Sequence, residues 1–376
     1  MKIKRLQLKN YRNYESLDIE LSSSLNIFIG NNAQGKSNIL ESIFVLALTK
    51  SYINVKDQYL IKDGKEFSVL KAKCYDDGVE NNLEIIITDS SKKLKVNQIE
   101  IKKYCDYISR IKVLIFSPYN VNFVKDGPNV RRKNVNMVIS QFSTNYVNLL
   151  QNYNAVLKKR NQFLKSIDCF KEYNRFYFDA LNERFCSLAV EVVLERNKFI
   201  EQVNKFLSQI YYEITGYNGL YLKYVSNIDM SDSKDEMFNK FKQKTESFFE
   251  REKGYGMTLI GPHRDDFLFF LDGKEVSIYA SQGQVRAAIL ALKLAEVLIF
   301  KEKDGIYPIL LLDDIFSELD VDKRNKLLKY ILEDVQTIIT TTDIDLIDKS
   351  LVEKSKVFVV EDGKIISDGK KECNDE

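Results

Sequence analysis

The chain has 376 residues and a net charge of +2, from 56 Lys and Arg against 54 Asp and Glu. That length allows two domains. Its 5 cysteines are scattered without a C-x-x-C pair, which argues against a disulfide framework or a zinc site and favours a reducing compartment. Residues 1–5 open directly into a strand pattern, and no apolar run reaches the roughly 18 residues of a membrane span. We therefore expect a cytoplasmic protein with no membrane partner.

The N-terminal quarter of the chain is predicted to be rich in strands. Apolar side chains alternate in residues 17–21 and 25–29, and further strand candidates lie at 67–75, 82–88 and 93–97. Alternation of this kind is typical of antiparallel strands with one buried face. An antiparallel meander is therefore expected ahead of the first helix.

A glycine-rich motif follows the strand at 25–29. Residues 30–37 read GNNAQGKS, which fits G-x-x-x-x-G-K-[ST], and apolar residues at helical spacing follow over 39–48. In this motif, backbone N–H groups surround nucleotide phosphates, the lysine pairs with the terminal phosphates and the hydroxyl ligates Mg²⁺. The predicted nucleotide-binding residues are Gly30, Asn31, Asn32, Ala33, Gln34, Gly35, Lys36 and Ser37. Lys36 is also a catalytic candidate, and Ser37 is a candidate Mg²⁺ ligand.

The middle of the chain is predicted to form a long αα-hairpin. Apolar and aromatic residues recur at helical spacing over 139–163 and again over 185–210, with a connection near 166–170 and a helix stop at Gly216. The aromatic stripe is better explained as hairpin core than as a base-stacking platform.

This middle segment is basic. Residues 110–205 carry 16 Lys and Arg against 8 Asp and Glu, which indicates a polyanion partner, although a solvated helical surface is the alternative. The candidate contacts to such a polyanion are Arg131, Arg132, Lys133, Lys158, Lys159 and Arg160.

A second anion site is possible further along the chain. Residues 229–236 have the composition of an exposed linker, and Asp272-Gly273 predicts a hairpin turn between strands at 267–271 and 275–279. Residues 280–284 then read ASQGQ and precede an apolar helix. Ser281 is a natural N-cap, and Ser-x-Gly at a helix N-terminus can bind an anion, although an ordinary capped helix has the same pattern.

The last motif, LLLDDIFSELD, occupies residues 310–320. A buried strand ends there at two carboxylates, which suit the Mg²⁺ that bridges nucleotide phosphates. Asp313 follows the strand directly and is the candidate Mg²⁺ ligand. Asp314 is the catalytic candidate, because many ATPases place there a glutamate that polarises the attacking water. Further strands are predicted at 336–341 and 356–360.

These motifs together resemble two nested families. The Ser-x-Gly helix start ahead of an Asp-Asp strand is similar to the signature motif of ABC-type ATPases, in which it contacts the γ-phosphate of ATP held by a second protomer. That resemblance implies that Ser281 and Gly283 bind ATP in trans. A narrower resemblance, to the RecF family of bacterial DNA replication and repair proteins, is carried by LKNYRNYESLDIELSSSLNIFIGNNAQGKSNILESI (8–43), KLKVNQIEIKK (93–103), GPHRDDF (261–267), SQGQVRAAILALKLAE (281–296) and LLLDDIFSELD (310–320).

The resemblance implies an architecture and a function. The expected fold is α/β, an ABC-type ATPase head with antiparallel N-terminal strands in residues 1–115 and 217–376, and an inserted helical hairpin domain in 116–216. The implied cofactors are ATP and Mg²⁺. The implied protein is an ATP-gated homodimer with weak, DNA-stimulated ATPase activity that binds single-stranded, gapped or junction DNA. With recombination mediator proteins as partners, it would assist RecA loading and the SOS response.

Two other functions fit parts of the pattern. The first is the ATP-binding subunit of a membrane transporter, but Lys36 and Ser281 lie 245 residues apart, farther than is usual in such subunits. The second is a DNA clamp that binds ATP as a switch without hydrolysing it.

Several positions remain open at this level. Arg12 lies in a loop that approaches the nucleotide in related heads, yet a plain surface arginine is equally compatible. His263 is either close to the interface between lobes or a structural hydrogen-bonding residue. The stretch ending in Thr342 replaces the switch histidine of many ABC proteins with hydroxyls, as RecF relatives do. Asn120 and Asn136 stand where the family usually has acidic residues, which leaves the metal-proximal loop in doubt.

Overall fold

The computed structural model describes residues 1–53, 55–76, 78–108, 110–166, 175–319, 323–324, 326–327 and 335–369. The chain forms two compact units. The first consists of Met1–Val121, Tyr212–Gly216 and Ile289–Glu376, and the second of Asn122–Tyr211 and Tyr217–Ala288.

Strands build most of the first unit and one small sheet of the second. In chain order they are β1 (Lys2–Tyr11), β2 (Tyr14–Glu20), β3 (Leu25–Ile29), β4 (Phe67–Asp76), β5 (Val79–Thr88), β6 (Lys92–Val96), β7 (Ile99–Ile101), β8 (Val113–Phe116), β9 (Leu220–Val225), β10 (Asp266–Leu271), β11 (Lys274–Glu275), β12 (Ile309–Asp313), β13 (Thr337–Thr341), β14 (Lys356–Glu361) and β15 (Lys364–Gly369).

Helices occur in both units and dominate the second. In chain order the helices of the described residues are α1 (Lys36–Leu48), α2 (Cys105–Ile108), α3 (Asn122–Lys125), α4 (Pro128–Phe142), α5 (Thr144–Ser166), α6 (Arg175–Thr215), α7 (Lys234–Tyr255), α8 (Val276–Tyr279), α9 (Gln282–Asp304), α10 (Ile315–Glu318) and α11 (Lys349–Glu353). Short 3₁₀ turns cover Asp57–Leu60, Pro118–Val121 and Ile344–Leu346.

The central sheet of the first unit brings the two distant motifs together. Its strand order is β15-β14-β3-β13-β12-β8, and β14, β3, β13, β12 and β8 pair in parallel. Strands β12 and β13 are buried at every residue, as expected for a parallel sheet that is covered on both faces. Because parallel strands end at the same edge, the glycine loop after β3 and the carboxylates after β12 share that edge.

A second sheet in the first unit is antiparallel throughout, with the order β2-β1-β4-β5-β6-β7. It confirms the predicted meander for the strand at 17–21 and the strands at 67–75, 82–88 and 93–97, whereas the strand at 25–29 lies in the central sheet, where it pairs in parallel. Strand β1 lies in its interior because it pairs with both β2 and β4.

The second unit has a core shared by three helices. Tyr153 of α5, Phe185 of α6 and Phe241 of α7 are buried in one apolar cluster. The predicted hairpin helices are therefore present, except that the first, expected over 139–163, is divided at Ser143 between the end of α4 and α5. Helix α7 joins them as a third core helix. The predicted connection at 166–170 falls outside the described residues beyond Ser166.

One local prediction in this unit is wrong, and a second, the exposed linker at 229–236, is correct only up to the start of α7. Residues 276–279 form helix α8 where a strand was expected, although the Asp272-Gly273 turn is present, with φ of 49° and 75°. The predicted linker at 229–236 ends at Ser233, which caps α7 by accepting a hydrogen bond from Glu236 N. Helix α7 was not predicted from the sequence because only a narrow stripe of it is buried and polar residues occupy most of its positions.

The contact pattern also divides the chain at other places than the predicted boundaries. Residues 217–288 fall in the second unit, because β9 pairs with β10 and α7 packs into the helical core there. The extent of the ATPase head as a functional domain stays a prediction.

Candidate nucleotide-binding site

The glycine loop of residues 30–37 runs from β3 into α1 against two close neighbours. Gly35 has a φ of 108°, and a Cβ there would lie 2.3 Å from the Asn13 side-chain nitrogen. A Cβ on Gly30 would lie 2.3 Å from the backbone oxygen of Val360. Both positions therefore require glycine. The loop ends at the N-terminus of a 13-residue helix, where backbone N–H groups and the helix dipole favour an anion.

Lys36 extends back across this loop. Its Nζ donates hydrogen bonds to the backbone oxygens of Gly30 and Asn31, both at 2.7 Å. Burial lowers the pKa of Lys36, while Asp314 and Asp313 oppose that shift. The ammonium group is thus held at the mouth of the loop, where phosphate oxygens could replace the two carbonyl acceptors.

Ser37 and Asp313 meet although they are 276 residues apart. The Ser37 hydroxyl donates to Asp313 Oδ1 at 2.7 Å, and Thr340 Oγ1 donates to the same oxygen at 2.8 Å. The Tyr52 hydroxyl donates to the other oxygen, Oδ2, at 2.9 Å. A serine hydroxyl beside a carboxylate is the oxygen pair that a P-loop offers to Mg²⁺. The sequence motifs pointed to Ser37 and Asp313 but gave no signal for Tyr52, and Thr340 was noted only as part of the hydroxyl stretch that ends in Thr342.

Asp314 begins the turn after β12 with a φ of 49°, in the left-handed region. Its backbone N–H donates to Thr340, both to the backbone oxygen at 3.2 Å and to Oγ1 at 3.1 Å. The turn holds the second carboxylate next to Asp313 at the edge of the sheet. Asp320, the last residue of this motif, lies outside the described residues.

Two hairpin turns hold the middle of the glycine loop. The backbone oxygen of Gln34 accepts from Asn13 Nδ2 at 3.0 Å and from Gly363 N at 3.1 Å. The Gln34 side-chain oxygen accepts from Asp362 N at 2.6 Å. Asn13 belongs to the turn between β1 and β2, and Asp362-Gly363 to the turn between β14 and β15. Neither turn was predicted from the sequence, although Asp362-Gly363 is a dipeptide that favours a hairpin turn.

Arg12 is tied to α1. Its guanidinium makes a bidentate ion pair with Glu41, with nitrogen–oxygen distances of 2.7 and 2.8 Å, and donates to Tyr59 O at 3.0 Å. The Glu41 side chain is fully buried, whereas that of Arg12 is 21% exposed. Through this contact Arg12 belongs to the interior structure of the unit. It is therefore not the plain surface arginine that the sequence also allowed.

The signature candidates lie in the second unit at the start of α9. Ser281 Oγ accepts from Gln284 N at 3.3 Å, and Gln284 Oε1 accepts from Ser281 N at 2.8 Å. This is the reciprocal capping box of helix N-termini. Ser281 and Gly283 are both exposed, so the helix start is accessible.

The basic candidates separate into two groups. Arg160 is fully buried in an ion pair with Glu252 at 2.6 Å, and Arg131 is 7% exposed and paired with Asp266 at 2.6 Å. Their prediction as DNA contacts is therefore wrong, because these side chains serve the interior of the unit. Arg132 is partly buried and donates to Asp265 O at 2.5 Å. The exposed candidates are Lys133, Lys158 and Lys159.

His263 is hydrogen-bonded on both sides of its ring. Nδ1 lies 2.7 Å from the Tyr153 hydroxyl, and Nε2 lies 3.1 Å from Thr258 O. Because the carbonyl can only accept, Nε2 carries the proton and Nδ1 accepts from the tyrosine. Burial lowers the pKa of His263 to about 4. These contacts agree with the interpretation of His263 as a structural hydrogen-bonding residue.

The two asparagines that depart from the family pattern still act as acceptors. Asn120 Oδ1 accepts from Ser117 N at 2.7 Å. Asn136 Oδ1 accepts from Tyr146 OH at 2.7 Å and from Arg196 at 3.1 Å. An amide oxygen therefore makes contacts that a carboxylate would also accept. Thr342 is exposed.

A P-loop joined to the carboxylates of a parallel strand, beside an antiparallel meander, defines a P-loop ATPase of the ABC type. Residues 2–366 match the family described as RecF/RecN/SMC N terminal domain. The chain is 38% identical over 367 residues to the DNA replication and repair protein RecF of Listeria monocytogenes, covering 97% of this chain and 99% of that protein. This chain belongs to the RecF family of DNA replication and repair proteins.

Solved structures agree with that assignment. The structure of the recombination mediator protein RecF-ATP in the RecFOR pathway superposes with a TM-score of 0.90 at 30% identity, covering 98% of this chain and 97% of that one. The Smc head domain of Pyrococcus furiosus shares the fold at 16% identity, with a TM-score of 0.53 and 97% of this chain covered. The predicted α/β head of the ABC type is confirmed. Across the described part of the chain, none of the helices is both long and apolar enough for a membrane span.

Proposed function

We propose that this chain is an ATP-dependent DNA-binding protein of replication and repair, with weak, DNA-stimulated ATPase activity in the cytoplasm. The single observation that carries the proposal is the 2.7 Å hydrogen bond between Ser37 and Asp313, which joins two motifs from opposite ends of the chain at one sheet edge. Membership of the RecF family supports the repair role. The transporter alternative has no support in these matches.

The residues of the loop fit a nucleoside triphosphate with Mg²⁺. Backbone N–H groups of residues 30–37 would surround the phosphates, and Lys36 would exchange its two carbonyl acceptors for terminal phosphate oxygens. Ser37 and Asp313 would hold Mg²⁺, which when bound neutralises charge on the phosphate oxygens. Asp314 would orient the attacking water and accept its proton. Aspartate is one methylene shorter than the glutamate of many ATPases, which fits slow hydrolysis.

Ser281 and Gly283 would act on ATP held by a second copy of the chain. Ser281 and Gly283 are exposed at the start of α9, as a trans-acting anion site requires, and the capping box uses the N–H groups of Ser281 and Gln284. ATP would then close a homodimer and hydrolysis would release it. DNA would be held by exposed lysines of the second unit, among which Lys158 and Lys159 lie next to each other on α5.

Membership of the RecF family also supports a proposed role in recombinational repair. Single-stranded, gapped or junction DNA would be the ligand, and recombination mediator proteins would be partners. The ATP-bound neighbour is itself described as a recombination mediator of the RecFOR pathway. A protein that acts with recombination mediators on such DNA would assist RecA loading and the SOS response.

Sedimentation with and without ATP and gapped DNA tests the proposal. The wild-type chain should dimerise only with ATP and Mg²⁺, and should then retain DNA. Lys36→Ala should bind ATP about 10- to 150-fold more weakly, because charged hydrogen bonds contribute about 1.5–3 kcal/mol. The control is Lys50→Ala, which removes an exposed lysine just beyond α1.

Ser281→Arg separates nucleotide binding from dimerisation. The variant should bind ATP as a monomer, because the added side chain would occupy the place of the partner's γ-phosphate. A wild-type chain that binds DNA equally well without nucleotide would contradict the ATP gate. Binding of DNA with ATP but without phosphate release would favour the non-hydrolysing clamp.

A further inference from the structure

Tyr52 makes a contact in the nucleotide site that the sequence motifs do not account for. Its hydroxyl donates to Asp313 Oδ2 at 2.9 Å, whereas Ser37 and Thr340 both donate to Oδ1. With donors on one oxygen only, the carboxylate could rotate about its Cβ–Cγ bond. The tyrosine is the donor on the second oxygen, so it fixes the plane of the group.

The ring of Tyr52 is itself held in place. It packs edge-on against Phe44 of α1, with ring centroids 5.5 Å apart and an interplanar angle of 78°. The Tyr52 hydroxyl carries the proton in this contact, because a carboxylate oxygen can only accept. Phe44 belongs to the buried helix that also begins with Lys36, so loop and tyrosine share one support.

The turn that carries Tyr52 is anchored to the same helix by a buried carboxylate. Ser51 Oγ donates to Glu41 Oε1 at 2.5 Å and accepts from Ile53 N at 3.1 Å. Glu41 also accepts from the Tyr11 hydroxyl at 3.0 Å and pairs with Arg12. The buried charge of Glu41 is therefore satisfied from several directions, which fixes the backbone on either side of Tyr52.

We propose that Tyr52 is a positioning residue that holds Asp313 in the orientation that binds Mg²⁺, with the Glu41–Ser51 contact as its support. The inference rests on the proposed function, because it concerns the metal that accompanies ATP. Mg²⁺ demands near-ideal octahedral geometry, so a carboxylate free to rotate binds it less well. Hydrogen bonds from outer groups to a ligating carboxylate are known to affect metal affinity in this way.

The test measures Mg²⁺ and ATP separately in equilibrium binding. A fluorescent ATP analogue is titrated against the full chain in EDTA, and Mg²⁺ is then titrated at a fixed nucleotide concentration. Tyr52→Phe should weaken the apparent Mg²⁺ affinity by about 10- to 100-fold, the usual effect of removing such a hydrogen bond. Binding of the analogue in EDTA should stay unchanged.

Tyr75→Phe is the matched control. Its hydroxyl donates to the carboxylate of Glu80 at 2.6 Å on the outer antiparallel sheet of the same unit. The variant removes the same kind of hydrogen bond away from the loop and should leave both affinities unchanged. Ser51→Ala tests the support and should weaken Mg²⁺ in the same direction, by less than Tyr52→Phe.

Each other outcome contradicts a stated part of the proposal. Unchanged Mg²⁺ affinity in Tyr52→Phe would remove the positioning role. Equal losses of binding in EDTA and in Mg²⁺ would mean that the hydroxyl only supports the fold. A wild-type chain that fails to bind the analogue at all would overturn the proposed function, and the inference with it.

Discussion

The two units of the chain use charged side chains in opposite ways. In the first unit, the charged residues of the motifs meet at the sheet edge, where Lys36 lies across the glycine loop and Asp313 contacts Ser37. In the second unit, prominent arginines of the basic segment turn inward, and Arg160 is fully buried against Glu252. A motif with fixed spacing therefore predicts both the residues and the backbone conformation that holds them. A count of charged residues predicts neither where their side chains lie nor whether they are exposed.

The interior of the second unit shows how a buried arginine is satisfied. Arg160 donates to Asn182 at 3.2 Å, to Thr258 at 2.7 Å and to Glu252 at 2.6 Å, and its guanidinium lies 5.0 Å from the ring centroid of Phe185. These contacts bring together α5, α6, α7 and the chain just beyond α7. Removal of the arginine would leave the buried Glu252 carboxylate without a counter-charge.

Arg160→Ala should produce the largest loss of stability. We expect about 3–5 kcal/mol in the free energy of unfolding, because Glu252 would remain buried and unpaired. Urea unfolding followed by circular dichroism measures it. Lys159→Ala, at the exposed neighbouring position, should change stability by less than about 0.5 kcal/mol. Equal losses of unfolding free energy in the two variants would contradict the distinction between buried and exposed charged side chains.

The two aspartates of the first unit should differ in kind. Asp314→Asn should lower kcat by about 10²- to 10⁴-fold, the usual contribution of a general base, while ATP binding and the ATP-bound dimer persist. Asp313→Asn should weaken binding of ATP with Mg²⁺ instead, because it removes the proposed metal ligand. Single-turnover hydrolysis and equilibrium binding separate these effects. Matching defects in both variants would contradict the division of roles.

His263 should make the second unit sensitive to acid. Its pKa in the folded chain is lowered to about 4, against about 6.5 when unfolded, so protons bind the unfolded chain preferentially between those values. The associated stability is fully present above pH 6.5 and is lost as pH falls through 4. Its size is roughly 3 kcal/mol.

A comparison of two chains isolates that effect. Wild-type and His263→Gln proteins should be unfolded in urea at pH 6.5 and 4.5, and the variant should show the smaller difference between the two pH values. Carboxylates titrate equally in both chains and cancel. An identical pH dependence would show that burial of this histidine costs little on protonation.

The exposed lysines should give the smallest effect, confined to DNA. Lys158→Glu with Lys159→Glu should weaken DNA binding uniformly across sequences and reduce the salt slope by about 0.9 for each phosphate that the lysines no longer neutralise. ATP affinity and stability should not change. Lys240→Glu is the control, since that lysine is exposed and ion-paired with Glu236 at 2.7 Å. A normal salt slope in the double variant would place the DNA-binding residues elsewhere.

Prediction from the sequence succeeded where chemistry and spacing coincide. It placed the loop of 30–37 between a strand and a helix and the Asp313–Asp314 pair at the end of a strand, where the structure has them, because glycine, lysine and carboxylate recur at fixed offsets in such motifs. It failed for α7, whose buried stripe is narrow, and for the strand expected at 275–279, where four residues form a helix instead. Short apolar runs do not by themselves distinguish helix from strand.

Motifs in the sequence were enough to predict the class of the protein, the glycine loop proposed to bind phosphate and the strand that ends in two carboxylates. Tertiary structure alone decided which further groups complete the site, since Tyr52, Thr340 and Asn13 reach it from separate elements and share no motif. It also decided that Arg160 is interior and Lys159 is exposed, although the two are adjacent. The physical reason is that successive positions on a helix point about 100° apart, and only packing determines which of them faces the core.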